Sequence, residues 1–195
     1  MNRHADPTEY PLFAQPAALA EKPRTAWTMA EARRYFDWLM SVLPGRVATV
    51  TRFLGLESDG SPADMLLAAG EQMARFLPMP GVSTEGWIVR SVLRGHEIET
   101  NTGPVVTAIG YSLAADLGLL MATMLRAGCP DLRWEIVTRP RSDADYHLPV
   151  LLPFGPVHME PIQVSVNTAH RVLAGTRPAS GWREVYDWWR DRCRA

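Results

Sequence analysis

Apolar residues recur at helical spacing through most of this chain, and their interruptions divide it into elements. Ala32, Tyr35, Phe36, Leu39 and Leu43 fall on one side of a helix. Its start is marked by Thr28-Met29-Ala30-Glu31, a capping box in which threonine and glutamate each satisfy a free backbone N–H. Pro44-Gly45 reads as its stop. A second helix is predicted from about Arg46 to Leu56, with Val47, Val50 and Leu54 aligned. A third opens at Ser61-Pro62-Ala63-Asp64 and carries Leu66, Ala69, Met73, Phe76 and Leu77 to the break at Pro78-Met79-Pro80-Gly81. The N-terminal half is therefore a three-helix unit.

Period-two patterns enter later. Trp87 to Leu93 suits a strand or a short helix, Asn101 to Pro104 a turn, and Val105 to Ile109 a strand. Leu113 to Ala127 is helical and ends at Gly128 and Pro130. Leu132 to Thr138 alternates as a strand does, and Pro149 to Phe154 is a second apolar strand. Ile162, Val164 and Val166 suggest β structure, with a helix from Asn167 to Leu173. Gly181 to Cys193 is amphipathic: Trp182, Val185, Tyr186, Trp189 and Cys193 face one way, Arg183, Asp187, Arg190 and Arg194 the other. The fold class predicted is α+β and predominantly helical, with a small antiparallel sheet and a C-terminal amphipathic helix. Residues 1–26, holding Pro7, Pro11, Pro16 and Pro23, form an extended arm docked through Tyr10, Leu12 and Phe13. Residues 27–195 form one globular domain.

Composition narrows the function classes. The chain has 195 residues, 47% hydrophobic and 21% charged, with 20 basic against 21 acidic side chains. A core of this size needs no metal or disulfide to hold it. Scattered arginines give no concentrated basic face, which argues against nucleic acid. Lys22 is the sole lysine, an arginine bias that fits a GC-rich bacterial genome. The start has no cationic-then-apolar export pattern, and Leu113–Leu125 is interrupted by Asp116 and too short to span a bilayer. The expectation is a cytoplasmic protein with no membrane contact. Cys129 and Cys193 form no ligand pair and read as reduced thiols, with a disulfide between them as the alternative.

Three features invite a chemical reading. Gly110-Tyr111-Ser112-Leu113-Ala114 sits where a strand would meet a helix, the context of a G-x-S-x-G nucleophile. Asp145 with His147 or His170 would complete a serine hydrolase. Ala114 replaces the second glycine and no oxyanion loop precedes it, so Ser112 reads instead as the N-cap of the 113–127 helix. The second feature is Arg141-Ser142-Asp143-Ala144-Asp145-Tyr146-His147, with His158 close behind. It reads as a solvated loop and a binding candidate through Arg141, Asp143, Asp145 and Tyr146, because no metal-ligand spacing supports an ion. His96-Glu97-Ile98-Glu99 lacks the second histidine of HExxH. Neither a P-loop nor a dinucleotide fingerprint is present, so no cofactor is predicted.

The chain holds seven tryptophans. Trp27, Trp38, Trp182 and Trp189 fall on apolar stripes and read as core. Trp188 lies at the flank of its helix and is the aromatic candidate for a protein partner or a homodimer contact.

Asp116-Leu117-Gly118, Leu132-Arg133-Trp134-Glu135, Pro149-Val150-Leu151 and Pro161-Ile162, following a capped helix bundle, resemble a widespread group of largely uncharacterised bacterial cytoplasmic proteins. In that group an aromatic residue and a Gly-Glu pair follow the Asp-x-Gly. Here Leu119-Leu120-Met121 stands in that place. The resemblance implies a mostly helical α+β fold and an immunity-like role as the binding partner of a toxin. It implies no enzyme activity.

Overall fold

The computed structural model describes residues 9–20, 26–56, 60–77 and 106–193. Helix α1 is Ala17–Ala20, α2 Met29–Phe53, α3 Pro62–Phe76 and α4 Ala108–Gly128. Strands β1 (Arg133–Ile136), β2 (Pro149–Phe154) and β3 (Val157–Met159) follow, then α5 (Pro161–Leu173) and α6 (Gly181–Cys193). The fold is α+β and mostly helical, with a three-stranded antiparallel sheet in the order β1-β2-β3. Trp134 pairs with Leu151 and Glu135 with Val150, and Val150 and Leu151, on opposite faces of the sheet, are both buried.

Where three helices were expected between residues 28 and 77, the described residues form two, and a short helical turn, Ala17–Ala20, lies in the segment expected to be an extended arm. The segments expected at 28–43 and 46–56 are one helix, with Pro44 inside it. Proline removes a backbone donor and usually breaks a helix at a cost of about 3 kcal/mol. Packing outweighs that cost here. Leu39 and Val50, on either side of the proline, are both buried, and Arg46 is tied to the core. The Thr28 capping box is present as predicted, with Glu31 N–H donating to Thr28 Oγ1 and Thr28 N–H to Glu31 Oε2. Ser61 caps α3 in the same manner.

Helix α4 is the centre of the molecule. It starts at Ala108, where a strand was expected, because Thr107 Oγ1 accepts from Gly110 N–H and caps the helix there. Residues 110–122 are all buried. Among the described residues this is the one helix long and apolar enough to cross a membrane, longer than the sequence suggested, and 83% of its most apolar window is buried inside the protein. Helices α2, α3 and α5 pack around it. Gly118 permits the closest approach: a Cβ there would lie 2.3 Å from the Pro161 carbonyl oxygen.

The β structure expected at 161–166 is absent, since α5 is helical from Pro161. Ile162, Val166 and Ala169 are buried at spacings of four and three, the period of a helix face. Glu160 caps it by accepting from the Ile162 and Gln163 N–H groups. Helix α6 lies where predicted, with Trp182, Tyr186 and Trp189 buried. Its last turn meets the end of α4, and Cys129 and Cys193 are joined in a disulfide with Cα atoms 6.3 Å apart. This corrects the expectation of reduced thiols: 64 residues of sequence separated a pair that packing brings together. The features at 78–105, including Trp87–Leu93 and His96-Glu97, lie outside the described residues.

Candidate functional site

Ser112 is neither a helix cap nor an exposed nucleophile. It sits one turn inside α4, completely buried. Its hydroxyl donates to the Ala108 carbonyl at 2.8 Å and accepts the Phe13 N–H at 2.9 Å. Both partners are backbone groups, so the serine fastens the N-terminal arm to the central helix. His170, proposed as its base, stands on α5, where burial lowers its pKa.

One turn further along, Asp116 is also fully buried. Arg46 grips it with both arms of the guanidinium fork, Nε to Oδ1 at 2.8 Å and Nη2 to Oδ2 at 2.6 Å. The Tyr10 hydroxyl donates to Oδ2 as well. Arg46 also donates to the Pro11 carbonyl at 2.9 Å and lies over the rings of Tyr10 and Phe13. Desolvation outweighs these contacts and pushes the Asp116 carboxyl up to about 6. Burial and the neighbouring carboxylate raise the Tyr10 phenol, which stays a donor. A buried carboxylate bonded to a guanidinium and a phenol has no free edge for substrate, and its geometry is that of a clamp. The arm is docked as predicted through Tyr10 and Phe13, whereas Leu12 is 41% exposed and Ala17–Ala20 is helical. The sequence reading missed this clamp. Its one signal was an acid in the middle of an apolar helix.

The 141–147 loop divides. Asp143 and Asp145 converge on His158, whose Nε2 stands 3.1 Å from Asp145 Oδ2 and 3.7 Å from Asp143 Oδ1. Each offers one donor atom, all within 4.8 Å of one another, a set that could take a divalent cation. A hydrogen bond between His158 Nε2 and Asp145 Oδ2, with Asp143 beside it, also accounts for the same three groups. His147, placed with the two acids by sequence, is turned away: it is buried with φ 68° and stacks on Tyr146 at 3.8 Å. Arg141 and Tyr146 line a cavity beside Trp27.

The third candidate lies on the opposite elements. Trp188, the flank tryptophan, is 45% exposed, while Trp189 beside it is buried. The Arg192 guanidinium covers one face of Trp188 at 3.2 Å from the ring centroid. Next to it, α5 and α6 bound a groove of about 430 Å³ lined by Val164, Asn167, Arg171, Arg177, Glu184 and Trp188. Glu184 accepts from Ser180 Oγ. Arg171 and Arg177, which the sequence did not single out, have no ion-pair partner among the described residues. Arg171 and Arg177 thus share the groove with Glu184 and the exposed indole, and Arg192 covers one face of that indole. Comparison with models of protein families, with curated proteins and with solved structures returns no match.

Proposed function

We propose that this chain is a non-enzymatic binding protein of a bacterium, an accessory of the immunity type, that acts by burying part of a protein partner against the α5–α6 face. The observation that carries the reading is Trp188, a large indole 45% exposed beside a groove rather than folded into the core. Exposed tryptophan and arginine are the residue types that dominate binding energy at protein interfaces. The arginines Arg171, Arg177 and Arg192 favour an acidic partner surface, which would exchange water for guanidinium–carboxylate pairs. The immunity-type role itself rests on the sequence resemblance. The commitment of the Ser112 hydroxyl to two backbone partners weighs against the hydrolase alternative.

The test is a pulldown from the source cell with the full chain and with Trp188→Ala. One partner should be recovered at near-equal stoichiometry by the first and lost with the second, the variant keeping its helical circular dichroism. Equal recovery by both proteins would refute the reading. So would recovery of no partner together with turnover on a panel of small esters or phosphates.

A further inference from the structure

A second site is built on elements other than α5 and α6 and does not depend on the function proposed for their shared face. It lies where the 141–147 loop meets β3. In that loop Ser142 and Ala144 are exposed, while Asp143 and Asp145 are half-buried. Acids in a surface loop ordinarily face water. This loop turns both of its carboxylates inward and leaves the alanine outside. They meet the imidazole of His158, brought in by β3, and the side chains of Asp143, Asp145 and His158 are 22%, 23% and 26% exposed.

Among the described residues no arginine or lysine pairs with either carboxylate, whereas the buried Asp116 is held by Arg46. Two carboxylate oxygens within 4.8 Å of one another repel, and one imidazole supplies at most one positive charge, so a negative charge is left over. The donor atoms also stand at the spacing an ion needs. His158 Nε2 lies 3.1 Å from Asp145 Oδ2 and 3.7 Å from Asp143 Oδ1. The edge of a tetrahedron with metal–ligand bonds of about 2.0–2.2 Å is about 3.3–3.6 Å, between those two distances. Asp143 Oδ1 accepts the Asp145 N–H at 2.8 Å, which fixes that carboxylate and leaves it a lone pair. The donor set chooses the metal. Calcium and magnesium prefer six or more oxygen ligands, a shell to which an imidazole does not belong. Two carboxylates and one imidazole suit a zinc-like ion, with water in its fourth position.

We propose that Asp143, Asp145 and His158 bind one divalent transition-metal ion of the zinc type, which ties the 141–147 loop to β3.

The probe is Zn²⁺, titrated calorimetrically into the untagged full chain after stripping with EDTA and dialysis. Reductant is left out, so that the Cys129–Cys193 disulfide stays closed and no thiol competes. One ion should bind per chain, and excess Mg²⁺ should not displace it. His158→Gln and Asp145→Asn should each weaken Zn²⁺ about tenfold or more, since even a hydrogen-bond partner of a metal ligand is worth about 10–100-fold. His170→Gln, which alters an imidazole on α5, should bind as the parent does. Co²⁺ in place of zinc should give visible absorption bands that His158→Gln changes, because a nitrogen leaves the metal. Helical circular dichroism shows which variants fold, and if His158→Gln does not, Asp145→Asn carries the comparison. Absence of stoichiometric Zn²⁺ binding, or displacement by Mg²⁺, would overturn the proposal. A loss below tenfold in the folded ligand variants, an equal loss in His170→Gln, or Co²⁺ bands unchanged in folded His158→Gln would overturn it as well.

Discussion

Replacing Arg46 with methionine tests the clamp that fixes the arm to the core. The change keeps the aliphatic bulk and deletes the guanidinium, leaving Asp116 fully buried without its cation. The Pro11 carbonyl loses its donor at the same time. Removing one partner of a buried ion pair costs about 3–5 kcal/mol, a large part of the stability of an ordinary domain. The loss should depend on pH. In the native protein the Asp116 carboxyl titrates at about 6 against an ordinary 3.8. The folded state therefore holds more protons than the unfolded one in that window, and stability falls as pH rises through it. The shift corresponds to about 3 kcal/mol, present below pH 4 and lost above pH 6. Without Arg46 the carboxyl rises further, so the variant should be weakest relative to wild type at neutral and alkaline pH. Urea unfolding followed by tryptophan fluorescence from about pH 4 to pH 8 measures both effects. Asp116→Asn should abolish the pH slope that Asp116 contributes. A deficit under about 1 kcal/mol for Arg46→Met at neutral pH, the worth of a surface pair, would refute the buried clamp. Retention of the whole slope in Asp116→Asn would refute the assignment of the titrating group.

Two further outcomes follow from the packing. Gly118→Ala should destabilise by about 1–3 kcal/mol, against the usual gain of about 1 kcal/mol for Gly→Ala within a helix, because its Cβ would meet the Pro161 carbonyl at 2.3 Å; a higher melting temperature would contradict the close α4–α5 contact. Reducing the Cys129–Cys193 bond, which closes a loop of 64 residues, should lower stability by about 4 kcal/mol on the chain-entropy model, read as a drop in the urea midpoint on adding dithiothreitol; identical midpoints with and without reductant would contradict it.

Periodicity and capping chemistry alone placed most of the helices and two strands. The Thr28 box, Ser61-Pro62 and the 181–193 stripe are local signals, complete within one or two turns, so no tertiary partner is needed to read them. Pro149–Phe154 was legible for the same reason. The flank position of Trp188 marked it as the aromatic candidate for a partner contact, and only the structure exposes its indole. What failed was every judgement in which a local preference competes with packing. Pro44 signals a stop, but Leu39, Arg46 and Val50 hold the helix through it. Ser112 has the chemistry of a cap, yet Thr107 takes that role and the serine becomes a buried anchor. Ile162, Val164 and Val166 have strand propensity, and the close contact of Pro161 with Gly118 goes with a helix instead.

The candidate sites divide along the same line. Sequence identified Arg141, Tyr146, Asp143 and Asp145 as a polar loop, because such residues are recognisable one at a time. It set both His147 and His158 beside the acids without deciding between them, since the meeting with His158 is made by β3, and it did not set Trp27 against Arg141 across more than a hundred residues. The Tyr10–Arg46–Asp116 clamp joins three elements that share no sequence neighbourhood. The sequence by itself determined the class of fold and the kinds of side chain available, because both follow from local periodicity and residue chemistry. Only the tertiary structure decided which charges are buried, which are paired and which remain free to bind, because desolvation and pairing are set by distances between segments far apart along the chain.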